Sequence, residues 1–323
     1  MLPLLVLAGP TASGKTALAI GLAQRLSGEV VNADSQQVYR GLDVGTAKAT
    51  AAERALAPHH LLDVVEPGEG MDAARFAALA DAAIAGIVAR GHVPIVAGGT
   101  GLYLRALLHG VVDAPGRDPA LRAALEAEAA RLGRPALHAR LRAIDPDMAA
   151  RIRENDLVRI VRALEIAAGG RRPSELYAEH AFQPDRYAAT FFALDPPRAE
   201  LHARIDARVE AMFAGGLLDE ARALAEGSLK LGTEGSPRLG AEGSPRLGAE
   251  GSPRLPIGYA EALAVLRGEL SRAEAVRQIQ VAHRRYARRQ VIWLRKERGV
   301  EWLTPPVDVD ALAQRVAVVL RRS

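Results

Sequence analysis

The sequence predicts an α/β protein built on a parallel sheet with a helical insertion domain. An apolar segment at residues 2–8 runs directly into a glycine-rich loop at 9–16, and a helical segment follows the loop. Strand-like and helical segments then alternate, which is typical of parallel sheets. Residues 117–182 lose this alternation and are rich in Ala, Leu and Arg at helical spacing, which indicates the insertion.

The strands and helices are justified by burial pattern and by their end signals. Residues 2–8 are uniformly apolar, as expected of a strand buried on both faces, and they lack the basic lead of a signal peptide. The remaining predicted elements are strands at 29–33, 92–97 and 188–194 and helices at 16–26, 73–90, 197–226 and 258–298. Because the carboxyl ends of parallel strands meet at one edge, segments 9–16, 34–37 and 98–101 should converge there.

The predicted domains follow from these elements. Residues 1–116 and 183–323 form the α/β core with basic C-terminal helices, and 117–182 form the helical insertion. Within the core, 231–254 is a tandem repeat, LGTEGSPR and twice LGAEGSPR, whose glycines and prolines exclude helix and ladder. We interpret it as a surface loop without function. The alternative is that Arg238, Arg246 and Arg254 touch nucleic-acid phosphates.

Composition limits the classes of function. The chain has no cysteine, which excludes disulfides and thiolate metal sites and suits a cytoplasmic protein. No apolar run is long enough to predict a membrane span, so no membrane partner is expected. The net charge is only +4, but residues 272–298 hold nine Lys/Arg against two Glu. Such a basic stripe favours a polyanionic partner over a merely solvated helix face.

The loop at 9–16 fits the full phosphate-binding pattern, Gly-x4-Gly-Lys-Thr, between a strand and a helix. Its backbone N–H groups, the Lys15 ammonium and the Thr16 hydroxyl can bind phosphate oxygens and Mg²⁺. A P-loop NTPase-like sheet is therefore predicted. The candidate diphosphate-binding residues are Gly9, Pro10, Thr11, Ala12, Ser13, Gly14, Lys15 and Thr16.

Two further polar segments end predicted strands. Asp34 could act as a base or hold Mg²⁺ through water, and a helix-capping role is equally compatible with its position. Thr100 lies in Gly98-Gly99-Thr100-Gly101, which is either a functional approach to the ligand or a tight turn. No Asp ends this strand as a Walker B carboxylate would, and this weakens a simple ATPase interpretation.

Two pairs of cationic or titratable residues remain. Arg204 and Arg208 are four residues apart on the helix after Pro197, where they could clamp a leaving diphosphate or form surface ion pairs. His59 and His60 have no third ligand at metal-binding spacing, so we interpret the pair as structural.

Taken together, the motifs resemble the tRNA dimethylallyltransferase (tRNA isopentenyltransferase) family, in its bacterial form without a zinc-finger extension. The resemblance covers nearly the whole chain in eight ordered blocks. The blocks are GPTASGKT at 9–16, ADSQQVYRGLDVGTAK at 33–48, HHLLDVVEP at 59–67, GGTGLYLRALL at 98–108, NDLVRIVRALE at 155–165, LHARIDARVEAMFAGGLLDE at 201–220, IGYAEAL at 257–263 and RRYARRQVIWLRK at 284–296.

The resemblance implies transfer of a dimethylallyl group from dimethylallyl diphosphate to N6 of adenosine 37 in tRNA, beside the anticodon, with release of diphosphate. Mg²⁺ is the implied cofactor, Thr16 its ligand, and a cytoplasmic monomer is expected. The implied catalytic residues are Asp34 as base, Thr100, Lys15 and one of Arg204 and Arg208. The implied tRNA contacts are Asp34, Ser35, Gln36, Gln37, Thr100, Arg122, Val158, Arg159, Ile160, Val161, Arg162, Arg284, Arg285, Arg288 and Arg289.

Three other interpretations stay open from the sequence. Adenylate isopentenyltransferase has a related core but would need neither the insertion nor the basic helix. A small-molecule P-loop kinase is supported by 9–16 alone. An RNA-binding module that senses nucleotides is supported by the basic helix, but it gives no role to Asp34 and Thr100.

Overall fold

The computed structural model describes residues 1–116, 118–181, 185–227 and 255–322. These residues divide into two compact units. The first contains 1–110 with the described residues from 185 onward, and the second contains those of 111–184. The junctions therefore lie at 110/111 and 184/185, against predicted boundaries at 117 and 182. The predicted repeat loop at 231–254 lies outside the described residues.

The first unit is built on a parallel sheet. Its strands are β1 (Pro3–Ala8), β2 (Gly28–Ala33), β3 (His59–His60), β4 (Val93–Gly98), β5 (Ala188–Leu194) and β6 (Val300–Leu303), in the spatial order β3-β2-β4-β1-β5-β6. All five adjacent pairs are parallel. The α/β class predicted from the sequence is confirmed, although β3 and β6 were not predicted.

The helices are α1 (Lys15–Leu26), α2 (Ala51–Leu56), α3 (Ala73–Ala89), α4 (Gly101–His109), α5 (Pro119–Leu132), α6 (Arg134–Ile144), α7 (Pro146–Arg151), α8 (Leu157–Ala168), α9 (Pro173–Ala181), α10 (Arg198–Ala214), α11 (Leu217–Ala225), α12 (Tyr259–Leu266), α13 (Arg272–Leu294) and α14 (Val309–Arg322). Helices α5 to α9 belong to the second unit. None of the described helices is long and apolar enough to cross a membrane.

Strand β1 lies at the centre of the core because both of its faces are covered. Leu4 and Val6 pack with residues of α3 and α4, whereas Leu5 and Leu7 pack with residues of α1 and α14. The side chains of these four residues are fully buried, as the uniformly apolar sequence predicts. Each such burial contributes about 1.5–3 kcal/mol.

Strand register fixes where the functional loops leave the sheet. Ala8 of β1 is aligned with Gly98 of β4, and Gly98 is aligned with Ala33 of β2. The residues that follow these three positions therefore leave the sheet at one edge. This convergence is what the parallel arrangement predicts.

Two long helices predicted from the sequence are each divided. The predicted helix 197–226 breaks at Gly215 and Gly216, and Gly216 has a φ of 109°, which favours glycine and ends α10. The predicted helix 258–298 stops at Leu266, and α13 starts anew after Ser271, whose side chain caps it together with Glu274.

A buried carboxylate stabilises the amino-terminal part of β2. Glu29 accepts hydrogen bonds from Arg90 at 3.0 and 2.7 Å and lies within 2.6 Å of ring nitrogens of His60 and His92. The Arg90 hydrogen bonds, aided by both histidines, lower the pKa of Glu29 to about 2. His59 meets the Ala57 carbonyl at 2.8 Å. The histidine pair thus takes part in structural contacts.

The second unit consists of helices in the residues that the structure describes between 111 and 181. Its core includes Leu137, Leu141, Ile160, Val161 and Leu164. Ile160 and Val161 were predicted to contact tRNA, and that prediction is wrong for their side chains because both are at most 1% exposed. The apolar spacing of α8 turns them toward the core.

Candidate active site

The phosphate-binding loop joins β1 to α1 and wraps around Lys15. The Lys15 ammonium donates to the carbonyls of Gly9 at 2.9 Å and Pro10 at 2.7 Å. Gly14 has a φ of 94° immediately before the helix, a conformation that favours glycine. The loop therefore has the shape that the motif predicts, with the first N–H groups of α1 at its end.

The Lys15 ammonium group is buried near one carboxylate, that of Asp34, and one guanidinium, that of Arg208. Burial lowers its pKa to about 8, an effect that Asp34 opposes and the nearby Arg208 reinforces. An anionic ligand would compensate for the lost hydration of this ammonium group. The site is thus suited to bind a polyphosphate.

Asp34 follows β2 and lines the same cavity as Lys15. One carboxylate oxygen accepts from the Gln36 N–H at 2.9 Å. Burial raises the pKa of Asp34, and the Gln36 bond, Lys15 and Arg208 oppose that rise. The side chain therefore makes a local turn contact and also has an environment typical of an acid–base group.

Thr100 fixes the loop that carries Asp34. Its hydroxyl accepts from the Ser35 N–H at 2.8 Å and donates to the Ser35 hydroxyl at 3.1 Å. Its own N–H donates to the Ala33 carbonyl at 3.2 Å. The segments after β2 and β4 are thereby held together, which makes Thr100 an orienting residue.

Sequence reasoning missed Gln290, which joins two of the loops. Its side-chain oxygen accepts from the Thr11 N–H at 2.8 Å, and its amide donates to the Gly99 carbonyl at 3.0 Å. A Cβ on Gly99 would lie 2.1 Å from the Gln290 amide, so glycine is needed for this close approach. Gln290 is almost completely buried. The signal in the sequence was its spacing from His283 and Tyr286, which places all three on one face of α13.

The two arginines of α10 have different surroundings. The Arg208 guanidinium donates to the Thr11 hydroxyl, and burial lowers its pKa. Arg204 is exposed and lies 3.4 Å from Glu200. Both line the cavity, but Arg208 is the one attached to the phosphate-binding loop.

One cavity of about 470 Å³ is lined by the phosphate-binding loop with Lys15 and by Asp34, Arg204, Arg208, His283 and Tyr286. This volume is in the range of small-ligand sites. All of the lining residues belong to the first unit. The convergence predicted from strand ends is therefore present around a ligand-sized space.

Gln36 and Gln37, predicted to contact tRNA, hold neighbouring segments. The Gln36 side-chain oxygen accepts from the Ile257 N–H at 3.0 Å. The Gln37 amide donates to the carbonyls of Thr46 at 3.2 Å and Ala47 at 2.9 Å. Both side chains thus have a structural role that their sequence position did not predict.

The arginines of the predicted basic face of α13 differ in exposure to solvent. Arg284 is half-buried and forms an ion pair with Asp206 of α10, so its guanidinium is already engaged within the first unit, and its contact with tRNA stays a prediction. Arg285 and Arg288 are exposed. Arg289 is exposed, and its guanidinium lies 5.7 Å from the ring centre of Tyr286.

Within the second unit, the remaining predicted tRNA residues differ in accessibility. Arg122 forms a 2.6 Å ion pair with the buried Glu165, and Arg162 donates to the Pro115 carbonyl at 2.9 Å. Val158 is 45% exposed. Arg159 is also exposed and lies 3.5 Å from Asp156. Only Val158 and Arg159 present largely open side chains, because the other two are engaged within the unit.

Two side chains with oxygen donors beside the phosphate-binding loop could bind a metal ion in this cavity. Thr16 and Asp34 line it, and no cluster of three or more His, Cys, Asp or Glu side chains suited to a metal occurs in the part of the chain that the structure describes. Mg²⁺ is commonly held by one or two protein oxygens together with substrate phosphates and water. The donor set therefore fits Mg²⁺ only as a partner of a bound phosphate.

Comparison with known proteins gives a consistent result. A family model described as IPP transferase matches residues 37–297, and one described as isopentenyl transferase matches 2–63. The tRNA dimethylallyltransferase of Anaeromyxobacter sp. (strain K) is 76% identical over 316 residues, which cover 97% of this chain and 96% of the relative. That of Myxococcus xanthus is 49% identical and covers 95% and 94%, respectively.

Solved structures extend the likeness to the whole fold. The tRNA isopentenylpyrophosphate transferase of Bacillus halodurans is 35% identical, with a TM-score of 0.67 over 100% of this chain and 98% of that one. A eukaryotic dimethylallyltransferase acting on tRNA is 30% identical, with a TM-score of 0.80 over 98% of this chain and 78% of that one.

Proposed function

Because this chain belongs to the IPP transferase family, we propose that it transfers a dimethylallyl group from dimethylallyl diphosphate to N6 of adenosine 37 in tRNA, releasing diphosphate. It is an enzyme of the transferase class. The observation that carries the proposal is that the phosphate-binding loop and Asp34 line the same cavity. A donor diphosphate and an acceptor amine need such a shared space to react.

The loop at 9–16 is proposed to bind the diphosphate as a leaving group. Lys15 and Arg208 bring positive charge to the cavity, and the N–H groups at the start of α1 add donors. Negative charge on diphosphate grows as the bond from C1 to oxygen breaks, so fixed donors stabilise the transition state more than the substrate. In phosphoryl-transfer proteins, such a loop binds phosphates while a phosphorus–oxygen bond breaks. In this protein it is proposed to bind the diphosphate while a carbon–oxygen bond breaks.

Asp34 is proposed to accept the proton of the acceptor amine. The N6 nitrogen bonds to C1 of the dimethylallyl group, the bonding pair of the C1–oxygen bond leaves with diphosphate, and the N6 proton passes to the carboxylate. The raised pKa of Asp34 suits this role, since a base works best when its pKa approaches the ambient pH. Thr100 keeps the segment at Asp34 in place through Ser35.

Mg²⁺ would be held by the Thr16 hydroxyl and the diphosphate, where it would offset the charge of the leaving group.

The proposed contacts to the tRNA phosphates are exposed arginines, namely Arg285, Arg288 and Arg289 of α13 and Arg159 of α8. Cationic side chains supply most of the sequence-independent affinity for nucleic acid. A cytoplasmic location and a monomeric state are part of the same proposal.

The test is acceptor choice. Purified protein is incubated with labelled dimethylallyl diphosphate and, in separate reactions, with unmodified tRNA, AMP or ATP. The proposal predicts label transfer to tRNA alone. Transfer to AMP would indicate an adenylate isopentenyltransferase, and consumption of ATP without prenyl transfer would indicate a P-loop kinase; either result contradicts the proposal.

A further inference from the structure

The inner face of α13 carries three polar residues over the cavity. His283, Tyr286 and Gln290 are spaced three and four residues apart, which places them on one side of the helix. Gln290 is engaged with Thr11 and Gly99. The Tyr286 hydroxyl lies near Asp34, Thr100 and Ser35. His283 has no hydrogen-bond partner at either ring nitrogen among the described residues.

Helix packing places His283 beside Arg208. Ala12 of the phosphate-binding loop packs against Ile205 of α10 and Ala287 of α13. Arg208 lies about one turn after Ile205 and His283 about one turn before Ala287. Both side chains line the cavity, and Arg208 is the charged group that acts on His283. His283 is therefore on the phosphate side of the cavity, whereas Tyr286 is on the side of Asp34.

Several buried polar atoms on this side lack a partner. Among the described residues, neither ring nitrogen of His283 has a hydrogen-bond partner, and the same holds for the Ser13 hydroxyl and Arg208 Nε. His283 is only 5% exposed. Leaving a buried polar group unpaired costs about 1–3 kcal/mol. Unpaired atoms from three separate elements around one cavity indicate a ligand that pairs with them.

The imidazole is neutral in this environment. Burial, with Arg208 adding to it, lowers the pKa of His283 to about 3. A neutral imidazole offers one N–H donor and one acceptor. It can therefore donate a hydrogen bond to an anion without carrying a positive charge that Arg208 would repel.

We propose that His283 donates a ring N–H to the diphosphate of the prenyl donor, beside Ser13 and Arg208. The inference rests on the proposed function, because it assumes that the ligand of this cavity carries a diphosphate. It adds to the phosphate-binding loop a donor from α13, a helix that also carries the exposed arginines.

Inorganic diphosphate is the probe that tests this inference. Its binding is measured by titration calorimetry with the wild-type protein and with His283→Phe, which keeps a planar aromatic ring and removes both nitrogens. The matched control is His202→Ala on α10, a half-exposed histidine outside the cavity lining. We expect His283→Phe to raise the Kd of diphosphate by about 10- to 100-fold, the value of a hydrogen bond to a charged group, and His202→Ala to leave it unchanged.

Two further measurements keep the result decisive. His283→Gln, which restores an N–H donor, is expected to recover part of the lost affinity, and His283→Leu replaces His283→Phe if that variant fails to fold. In the wild-type protein, the ¹⁵N resonances of His283 are expected to shift when diphosphate is added. Unchanged diphosphate affinity in His283→Phe or its replacement, or unchanged His283 resonances at saturation, would overturn the inference. A wild-type protein that binds no diphosphate and transfers no prenyl group would instead refute the proposed function.

Discussion

Replacing Gln290 with leucine tests whether this residue holds the phosphate-binding loop against the segment after β4. Leucine is close to glutamine in size, so Gln290→Leu chiefly removes hydrogen bonds. It leaves the Thr11 N–H and the Gly99 carbonyl without the partners they have at 2.8 and 3.0 Å. Each unpaired buried group costs about 1–3 kcal/mol, so the loss of both partners should lower the free energy of unfolding by about 2–6 kcal/mol.

Urea denaturation followed by tryptophan fluorescence measures this loss. The chain has two tryptophans, Trp293 and Trp302, and both belong to the first unit, so the signal reports its unfolding. Gln278→Leu is the matched control, because it makes the same change at an exposed position of α13 and should cost less than about 0.5 kcal/mol. If Gln290→Leu is as stable as the control, the two hydrogen bonds do not stabilise the loop and this interpretation of Gln290 is refuted.

The remaining predictions concern charge. Because the pKa of Lys15 is lowered to about 8, the affinity of the free protein for inorganic diphosphate should fall as pH rises through about 8, whereas Lys15→Arg, which stays charged, should show no such fall in the same calorimetric titration. Arg208→Ala should lower kcat/KM by about 10- to 100-fold, against less than about fivefold for the exposed Arg204→Ala; equal effects would mean that the loop contact of Arg208 has no catalytic value. The pKa of Glu29 is lowered from 4.5 to about 2, so its stabilisation is fully present above pH 4.5 and is lost as pH falls through about 2. Glu29→Gln should therefore lower the free energy of unfolding by about 1–3 kcal/mol at neutral pH, and a urea series should show this difference shrinking over that acidic range.

The central part of the fold could be predicted from local patterns. The run at 2–8 is uniformly apolar because both faces of β1 are covered, and the phosphate-loop spacing is set by backbone geometry near the ligand. The two strands that were not predicted lack such patterns. β3 is two residues long, and β6 is a four-residue strand at the edge of the described sheet, where it pairs with β5. Their existence depends on partners far away in the chain.

The candidate site was predictable where strand ends determine it and not where helices pack onto it. Asp34 and Thr100 follow strands that the register aligns, so their convergence followed from the parallel arrangement. The partners of Gln290 and Arg284 are set by the packing of α13 on the loops and on α10, which no local spacing reveals. The series of arginines at 284–289 indicated a uniform basic face, yet Arg284 is used for an internal ion pair.

The most direct test of the central claim compares wild-type protein with Asp34→Asn on unmodified tRNA. Nucleosides from the treated tRNA are analysed by mass spectrometry, and tRNA binding is measured in parallel. The wild-type protein is expected to convert adenosine 37 to its N6-dimethylallyl form. Asp34→Asn should bind tRNA equally well but transfer at least about 100-fold more slowly, the usual loss for a missing general base. An undiminished rate in the variant, or no dimethylallyl adenosine with the wild type, would contradict the account.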